Sequence, residues 1–329
     1  MEKRALAGRM VHPVGLGCMN LSWAYGDPPP HPEKLRLLRR ALELGYDHFD
    51  TSNIYGLGRN EALLGEGIMH ARADFLLASK TGIVVEGAGR GIDCRPEAML
   101  ASLDESLARL KTDHIDLFYM HRFDPKVPVA DMVGALAHAI EAGKIGAYGV
   151  SEWGADHIRV AHAVHPMAAV QTEYSLWTRN PEIAVLETTR ELGIAFVAFS
   201  PVARGALGGE LRDPAVLGDK DLRRTMPRFG AEHWPQNLTL IERFDALAAE
   251  AGIAPAQLAL AWLLAQGPHI HVIPGTTSVA HLEENFATLS LDVPADLLAR
   301  AGALINQQTV SGPRYAPAAQ ASVSTEEFA

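Results

Sequence analysis

The chain predicts a (β/α)8 barrel of the α/β class, and three observations predict it. Eight short β-type runs alternate with helical patterns along 329 residues. No GxGxxG follows the first run, as a doubly wound dinucleotide domain would require; the nearest glycines read GLG. Asp50, Lys80 and His121 each stand at or beside the end of one of the runs. Only a parallel barrel gathers such strand ends around one rim, where barrel enzymes keep their chemistry.

The elements follow in a regular order. An N-terminal β-hairpin turns at Ala7-Gly8, and the eight runs are VGLGCM (14–19), DHFDT (47–51), FLLASK (75–80), HIDLFYMH (114–121), AYGVS (147–151), AAVQTEY (168–174), AFVAFS (195–200) and HIHVIPG (269–275). Helical patterns stand between them. PEKLRLLRRALELG begins at a proline and stops at Gly45, RPEAMLASLDESLARLK repeats Leu or Met every three or four residues, and PVADMVGALAHAIEAGK runs from Pro128 to Gly143. Residues 201–236 hold five glycines, four prolines and no periodic apolar face, which predicts a long loop after strand 7, a length usually tied to function. A helix from about 238 to 251 and an additional one, PAQLALAWLLAQG, precede the eighth strand. Residues 1–329 read as one domain, with 308–329 an extended C-terminal tail.

Composition sets the bounds. The chain is 48% hydrophobic, enough for a large core. Its 29 Lys+Arg against 39 Asp+Glu give a net charge of −10, with no basic run to track a phosphate backbone, so no nucleic acid partner is expected. Cys18 and Cys94 have no CxxC or Cys/His neighbours, so reduced thiols and no metal site are expected. No stretch approaches the roughly 18 apolar residues of a membrane span, and MEKRALAGRMVH lacks the apolar core of a signal peptide. A cytoplasmic protein with no membrane partner is the expectation, and the oligomeric state stays open.

Asp50, Tyr55, Lys80 and His121 make a proton-donor set. A phenol delivers a proton near neutral pH when neighbours stabilise its anion; a buried ammonium with its own carboxylate does that, and an imidazole orients a carbonyl oxygen. Taken singly, each residue has an ordinary role open to it: a tyrosine packed under a loop, a solvated strand-end lysine, an aspartate cap, a core histidine.

Together with GLGCMN, FDTSNIYGLGRNEALLG, LASKTGI, YMHRFDP, GKIGAYGVSEW, AAVQTEYSLW, AFSPVARGALGG, MPRF and IPGTTSVAHLEENF, they carry a resemblance that runs nearly end to end. The chain resembles the aldo-keto reductases, in their bacterial and plant branch rather than the mammalian aldose-reductase branch. That resemblance implies hydride transfer from C4 of a nicotinamide to a carbonyl carbon, with Tyr55 protonating the oxygen and Asp50, Lys80 and His121 completing the tetrad. It also implies a dinucleotide against Gly17, Met19 and Asp50, with Ser151 and Gln171 on the carboxamide and Tyr174 stacked on the ring. Ser200, Val202, Arg204 and Gly205 fall to the pyrophosphate, and Thr276, Ser278, His281, Glu284 and Asn285 to the adenosine end. NADP(H) is the expected cofactor and NAD(H) an accessible one, because the adenosine segment lacks the Lys or Arg that relatives use on the 2′-phosphate. Glu152 stands where many relatives have Asn.

Trp23, Tyr25, Trp153 and Trp234, with Tyr55 and His121, are the expected substrate walls. Trp262 sits at helical spacing in ALAWLLA and reads as core. No arginine stands out for the pocket, so a neutral aldehyde or ketone is expected. Two other readings stand beside carbonyl reduction: a redox-sensing binding protein like the channel β subunits of the same family, and a Schiff-base aldolase or isomerase using Lys80.

Overall fold

The computed structural model describes residues 1–86 and 89–328, Glu86 by its backbone alone. Strands β1 (Arg4–Leu6) and β2 (Arg9–Val11) form the N-terminal hairpin, turning through Ala7 and Gly8 at φ 46° and 77°. The chain continues through β3 (Leu16–Gly17), α1 (His31–Leu44), β4 (His48–Asp50), α2 (Arg59–Gly67) and β5 (Leu76–Thr81). A second hairpin, β6 (Ile83–Glu86) and β7 (Gly89–Ile92), leads into α3 (Pro96–Leu110), β8 (Ile115–Met120), α4 (Val129–Glu141), β9 (Ile145–Ser151) and α5 (Ala155–Val164). The remainder is β10 (Ala169–Glu173), α6 (Val185–Leu192), β11 (Ala195–Phe199), α7 (Trp234–Glu250), α8 (Pro255–Leu264), β12 (Ile270–Ile273), α9 (Val279–Ala287), α10 (Ala295–Leu304) and α11 (Pro317–Gln320).

Eight strands pair in parallel in the order β3-β4-β5-β8-β9-β10-β11-β12. Closure comes from Val14 bridging Val272 and Gly17 bridging Gly275, with the Val272 N–H donating to Pro13 O at 2.8 Å. This seam requires glycine. A Cβ on Gly17 would lie 2.7 Å from Ile273 O, and one on Gly275 2.9 Å from Gly17 O, so neither backbone could approach the other with a side chain present.

Side chains alternate across each strand, and the inner set fills the barrel. Leu76, Ala78, Leu117, Tyr119, Ala169, Ala195, Val197 and Ile273 form that interior together with Leu6 and Val11 of the hairpin. Outward residues such as Leu77, Phe118, Val150, Val170 and Phe196 pack under the helices, against Met99 and Leu103 of α3 and Met132 and Leu136 of α4 among others. Each fully buried aliphatic or aromatic side chain of this shell contributes about 1.5–3 kcal/mol, so the strand–helix interface carries most of the stability. Trp262 is buried in it, as its helical spacing predicts.

Four departures from the expected elements bear on the rim. The β6–β7 hairpin carries no sequence period that separates it from a loop, and it stands directly after Lys80. The first barrel strand is two residues long rather than six, because residues 18–22 bend away into a 3-10 turn. Helix α7 begins at Trp234, four residues early, with a proline at its second position. The segment after α10 is not a free tail. Ser311 N–H donates to Asn237 at 2.8 Å, Ser324 N–H to Glu152 O at 3.0 Å, and Glu326 accepts from Ala155 N–H at 2.7 Å. Among the described residues no single helix is long and apolar enough to cross a membrane.

Two histidines stand inside the barrel, His48 on β4 and His271 on β12, both fully buried. Burial lowers the pKa of His48 to about 4 and that of His271, with help from His48, to about 3. The unfolded chain protonates both near 6.5, so it takes up protons first as the pH falls, and stability is lost between about 6.5 and 4. The slope should be about 1.4 kcal/mol per pH unit for each histidine in that window. Denaturant midpoints measured across the range check this, and a flat profile above pH 5 contradicts it.

Candidate active site

Three strand ends and one wound loop assemble the rim. Asp50 closes β4, Lys80 lies near the end of β5, and His121 follows β8. Tyr55 sits in the loop after β4, which is coiled by left-handed residues at Gly56, Leu57 and Gly58. A buried polar net pins this loop: Thr51 donates to Asn60 at 2.6 Å, and Asn60 donates to Cys18 O and to Ser22, each at 2.8 Å. Below it, Glu61 at the start of α2 accepts from Ser79 at 2.6 Å and from Arg109 at 2.7 Å. The phenol is thus held by a scaffold, not by a free loop.

Lys80 is fully buried. Its ammonium donates to Asp50, to Thr51 O at 2.8 Å and to the Tyr55 hydroxyl at 3.3 Å. Asp50 also accepts from Gln171 Nε2 at 2.7 Å. Burial works against the charge on Lys80, but Asp50 and Tyr55 outweigh it and hold the pKa above the usual lysine value. Such an amine stays protonated, a poor start for Schiff-base chemistry. Burial pushes the Tyr55 phenol above its ordinary pKa, and Lys80 only partly offsets that. Tyr55 therefore carries its proton, as a donor must. His121 lies edge-on to Tyr55 with ring centroids 5.9 Å apart, and its Nδ1 is 3.2 Å from Ser52 Oγ. Burial, then the charges of Arg122, Lys80 and Arg90, keep its imidazole neutral well below pH 6.5.

Tyr55 and His121 open onto a cavity of 1160 Å³ that runs across the rim to α9. Most of the expected residues line it: Gly17, Met19, Trp23, Tyr25, Asp50, Ser151, Gln171, Ser200, Val202, Arg204, Gly205, Thr276, Ser278, His281, Glu284 and Asn285. Lys80 is buried behind the lining and meets it through Asp50 and Tyr55. Three expectations fail on placement. Tyr174 points away from the barrel interior, because an odd offset from Gln171 reverses the face; it packs on Phe196 and Trp262 and donates to Glu182 at 2.8 Å. Phe199, of the inner parity on β11, is the aromatic that faces the cavity instead. Trp153 is fully buried, edge-on to Phe123 at 5.0 Å. Trp234 heads α7, stacked on Phe229 at 5.6 Å with its indole N–H on Arg212 O at 2.9 Å.

Arg204 lines the cavity, yet its charge is already matched. It donates to Glu173 and, at 2.8 Å, to Tyr315, so the expected pyrophosphate partner serves an internal carboxylate first. Glu152 belongs to the same buried network. It adopts φ 60°, accepts from both terminal nitrogens of Arg314 and from Thr325 at 3.0 Å, and so docks the C-terminal segment on the rim. Arg204 and Arg314 hold Glu173 at about pKa 2 against the cost of burial. Tyr315, Ala316 and Ala319 of that segment wall the cavity.

The residues present fit a nicotinamide dinucleotide. Ser278 caps α9, accepting from His281 N–H at 3.4 Å, and Thr276 accepts from Ser278 N–H at 3.0 Å, so hydroxyls and the α9 N-terminus face the far end of the cavity. His281 leans on Glu210 at 3.2 Å, which weakens its pull on a phosphate. Sequence reasoning missed Phe199, Arg90, Arg122 and Tyr315. Strand parity signals the first, adjacency to His121 the third; nothing in the sequence signals the others. Both cysteines are free and buried, with Cys94 pushed by burial to a pKa of about 12, so neither is a ready thiolate.

The chain as a whole has relatives among known proteins. The model of the Aldo/keto reductase family matches residues 13–305. A probable aldo-keto reductase 1 of Glycine max is 38% identical over 315 residues, 95% of this chain and 91% of its own. The glycerol dehydrogenase structure of Gluconobacter oxydans superposes with a TM-score of 0.84 at 25% identity, covering 96% of this chain and 98% of that one. An aldo/keto reductase of Klebsiella pneumoniae, solved with NADP and acetate, gives 0.73 at 24% identity, covering 96% and 99%.

Removing Arg314 would leave Glu152 buried without its main partner. Arg314→Met should therefore destabilise the protein by about 3–5 kcal/mol, and adding Glu152→Asn, a residue suited to the left-handed backbone, should recover part of that loss. Chemical denaturation of the two variants decides; equal stability of Arg314→Met and wild type contradicts the network.

Proposed function

The chain belongs to the aldo/keto reductase family, and from that premise we propose that it reduces an aldehyde or ketone with Tyr55 as proton donor and NADP(H) as hydride carrier. One observation carries the proposal: a protonated phenol backed by the buried Lys80–Asp50 pair opens beside a neutral imidazole onto a cavity long enough for a dinucleotide and a substrate. The bound cofactor would supply the hydride. Everything else falls to this chain's side chains.

His121, neutral and anchored by Ser52, offers a ring nitrogen to orient the carbonyl oxygen without putting a competing charge there. Tyr55 then donates its proton as the oxygen gains negative charge. The Lys80 ammonium, 3.3 Å away, stabilises the phenolate left behind, and Asp50 keeps that ammonium charged and aimed. Phe199, Ser151 and Gln171 are the proposed contacts of the nicotinamide end, though Gln171 must loosen its hold on Asp50 to serve it. The Klebsiella structure contains NADP in the same fold, which supports the cofactor choice. The cytoplasm remains the proposed location.

Tyr55→Phe should leave cofactor affinity nearly unchanged and lower kcat by at least about a hundredfold, the scale of a lost general acid. A variant that keeps a tenth of wild-type kcat contradicts the assignment. The adenosine segment offers hydroxyls and helix N–H groups but no Lys or Arg, so NADPH should be preferred over NADH by less than about a thousandfold, roughly 4 kcal/mol. The ratio of kcat/KM with the two cofactors on one aldehyde checks this, and a preference for NADH refutes it.

A further inference from the structure

We propose that the substrate end of the cavity recognises a carboxylate, and that the preferred substrates are aldehydes or ketones bearing an anionic carboxyl group held by Arg122 and Arg90. Resting on the carbonyl-reductase reading above, this replaces the sequence-based expectation of a neutral substrate with a charged one.

Four arginines line the cavity, and they fall into two kinds. Arg204 is matched by Glu173, and Arg223 makes a two-pronged contact with Asp221 at 3.0 and 2.7 Å. Arg122 and Arg90 have no carboxylate partner among the described side chains. Arg122 is nonetheless held in place. One of its terminal nitrogens donates to His121 O at 2.6 Å and lies 3.4 Å from Ser151 Oγ, which leaves its other guanidinium nitrogens without a hydrogen-bond partner among the described side chains, in a residue that lines the cavity. Arg90 reaches over from β7, its guanidinium carbon 4.1 Å from the centre of the Trp23 ring.

The two guanidinium groups act on the same place. Both lower the pKa of His121, Arg122 lowers that of Arg90 in addition to burial, and Arg122 also favours the anion of Tyr55. Two like charges gathered on one side of a half-enclosed cavity repel each other unless an anion joins them. Paired N–H donors match a carboxylate in both charge and shape. The phosphates of a dinucleotide are not that anion, since other cavity residues suit them, Ser200, Val202 and Gly205 for the pyrophosphate and the hydroxyls and helix terminus around Thr276 and Ser278 for the adenosine end. Beside Tyr55 and His121, the anion is the substrate's own.

The probes are 4-formylbenzoate and its methyl ester, which present similar carbonyls with and without the charge. The wild-type protein should favour the acid by at least about tenfold in kcat/KM, mainly through KM, as expected for a charge-assisted contact. Arg122→Met and Arg90→Met should each bring that ratio toward unity, and Arg122→Lys should restore part of it. Terephthalate binding to the holoenzyme, followed by calorimetry, gives a second reading independent of turnover: affinity should drop at least about tenfold in Arg122→Met and weaken with added salt. A wild-type ratio near one, or a ratio and terephthalate affinity untouched by both Met replacements, overturns the proposal. Failure to reduce either aldehyde, with terephthalate binding intact and dependent on Arg122, would sink the carbonyl-reductase reading and leave the anion site standing.

Discussion

The buried pair of Lys80 and Asp50 is the interaction on which the site depends. An ammonium with no exposed surface exists only because a carboxylate, a backbone carbonyl and a phenol surround it. Such pairs contribute little net stability, since desolvation offsets the attraction, so its presence argues for chemistry. The fold supplies the seclusion: β4 and β5 lie side by side, and Gln171 from β10, across the barrel interior, fixes the second oxygen of Asp50. Closure at the Gly17–Gly275 seam is what brings these strands into one ring.

A second buried network shapes the mouth. Glu152, Glu173, Arg204, Arg314 and Tyr315 join the ends of β9 and β10 to the loop after β11 and to the C-terminal segment. Its four charges balance in pairs, which lets carboxylates be buried without leaving one uncompensated. The C-terminal segment thereby becomes a wall of the cavity. Against this neutralised background Arg122 and Arg90 stand out, for they are the cavity arginines with no acidic partner among the described side chains.

Much of the barrel was legible because strand and helix periods differ and because turns are marked by Gly and Pro. Asp50, Lys80 and His121 could be read as strand ends, and their convergence followed from the topology. Face assignment was harder. Tyr174 was misplaced since it lies an odd number of residues from Gln171, and Phe199 was overlooked though it shares parity with Val197 inside the barrel. Trp153 and Trp234 were misread because an aromatic in a connecting segment packs inward as readily as it lines a pocket. The docking of residues 306–328 had no local signal: it depends on Arg314 meeting Glu152 across a sequence separation of 162 residues.

The central claim is that the charged pair, through Tyr55, delivers the proton. Replacing both partners at once, Asp50→Asn with Lys80→Met, removes the charges without leaving either buried alone. Single-turnover oxidation of NADPH by an aldehyde, followed by nicotinamide absorbance in the fully folded double variant, tests the claim most directly. The account predicts a fall in the rate of at least about a hundredfold with cofactor still bound. A rate within about threefold of wild type would contradict it.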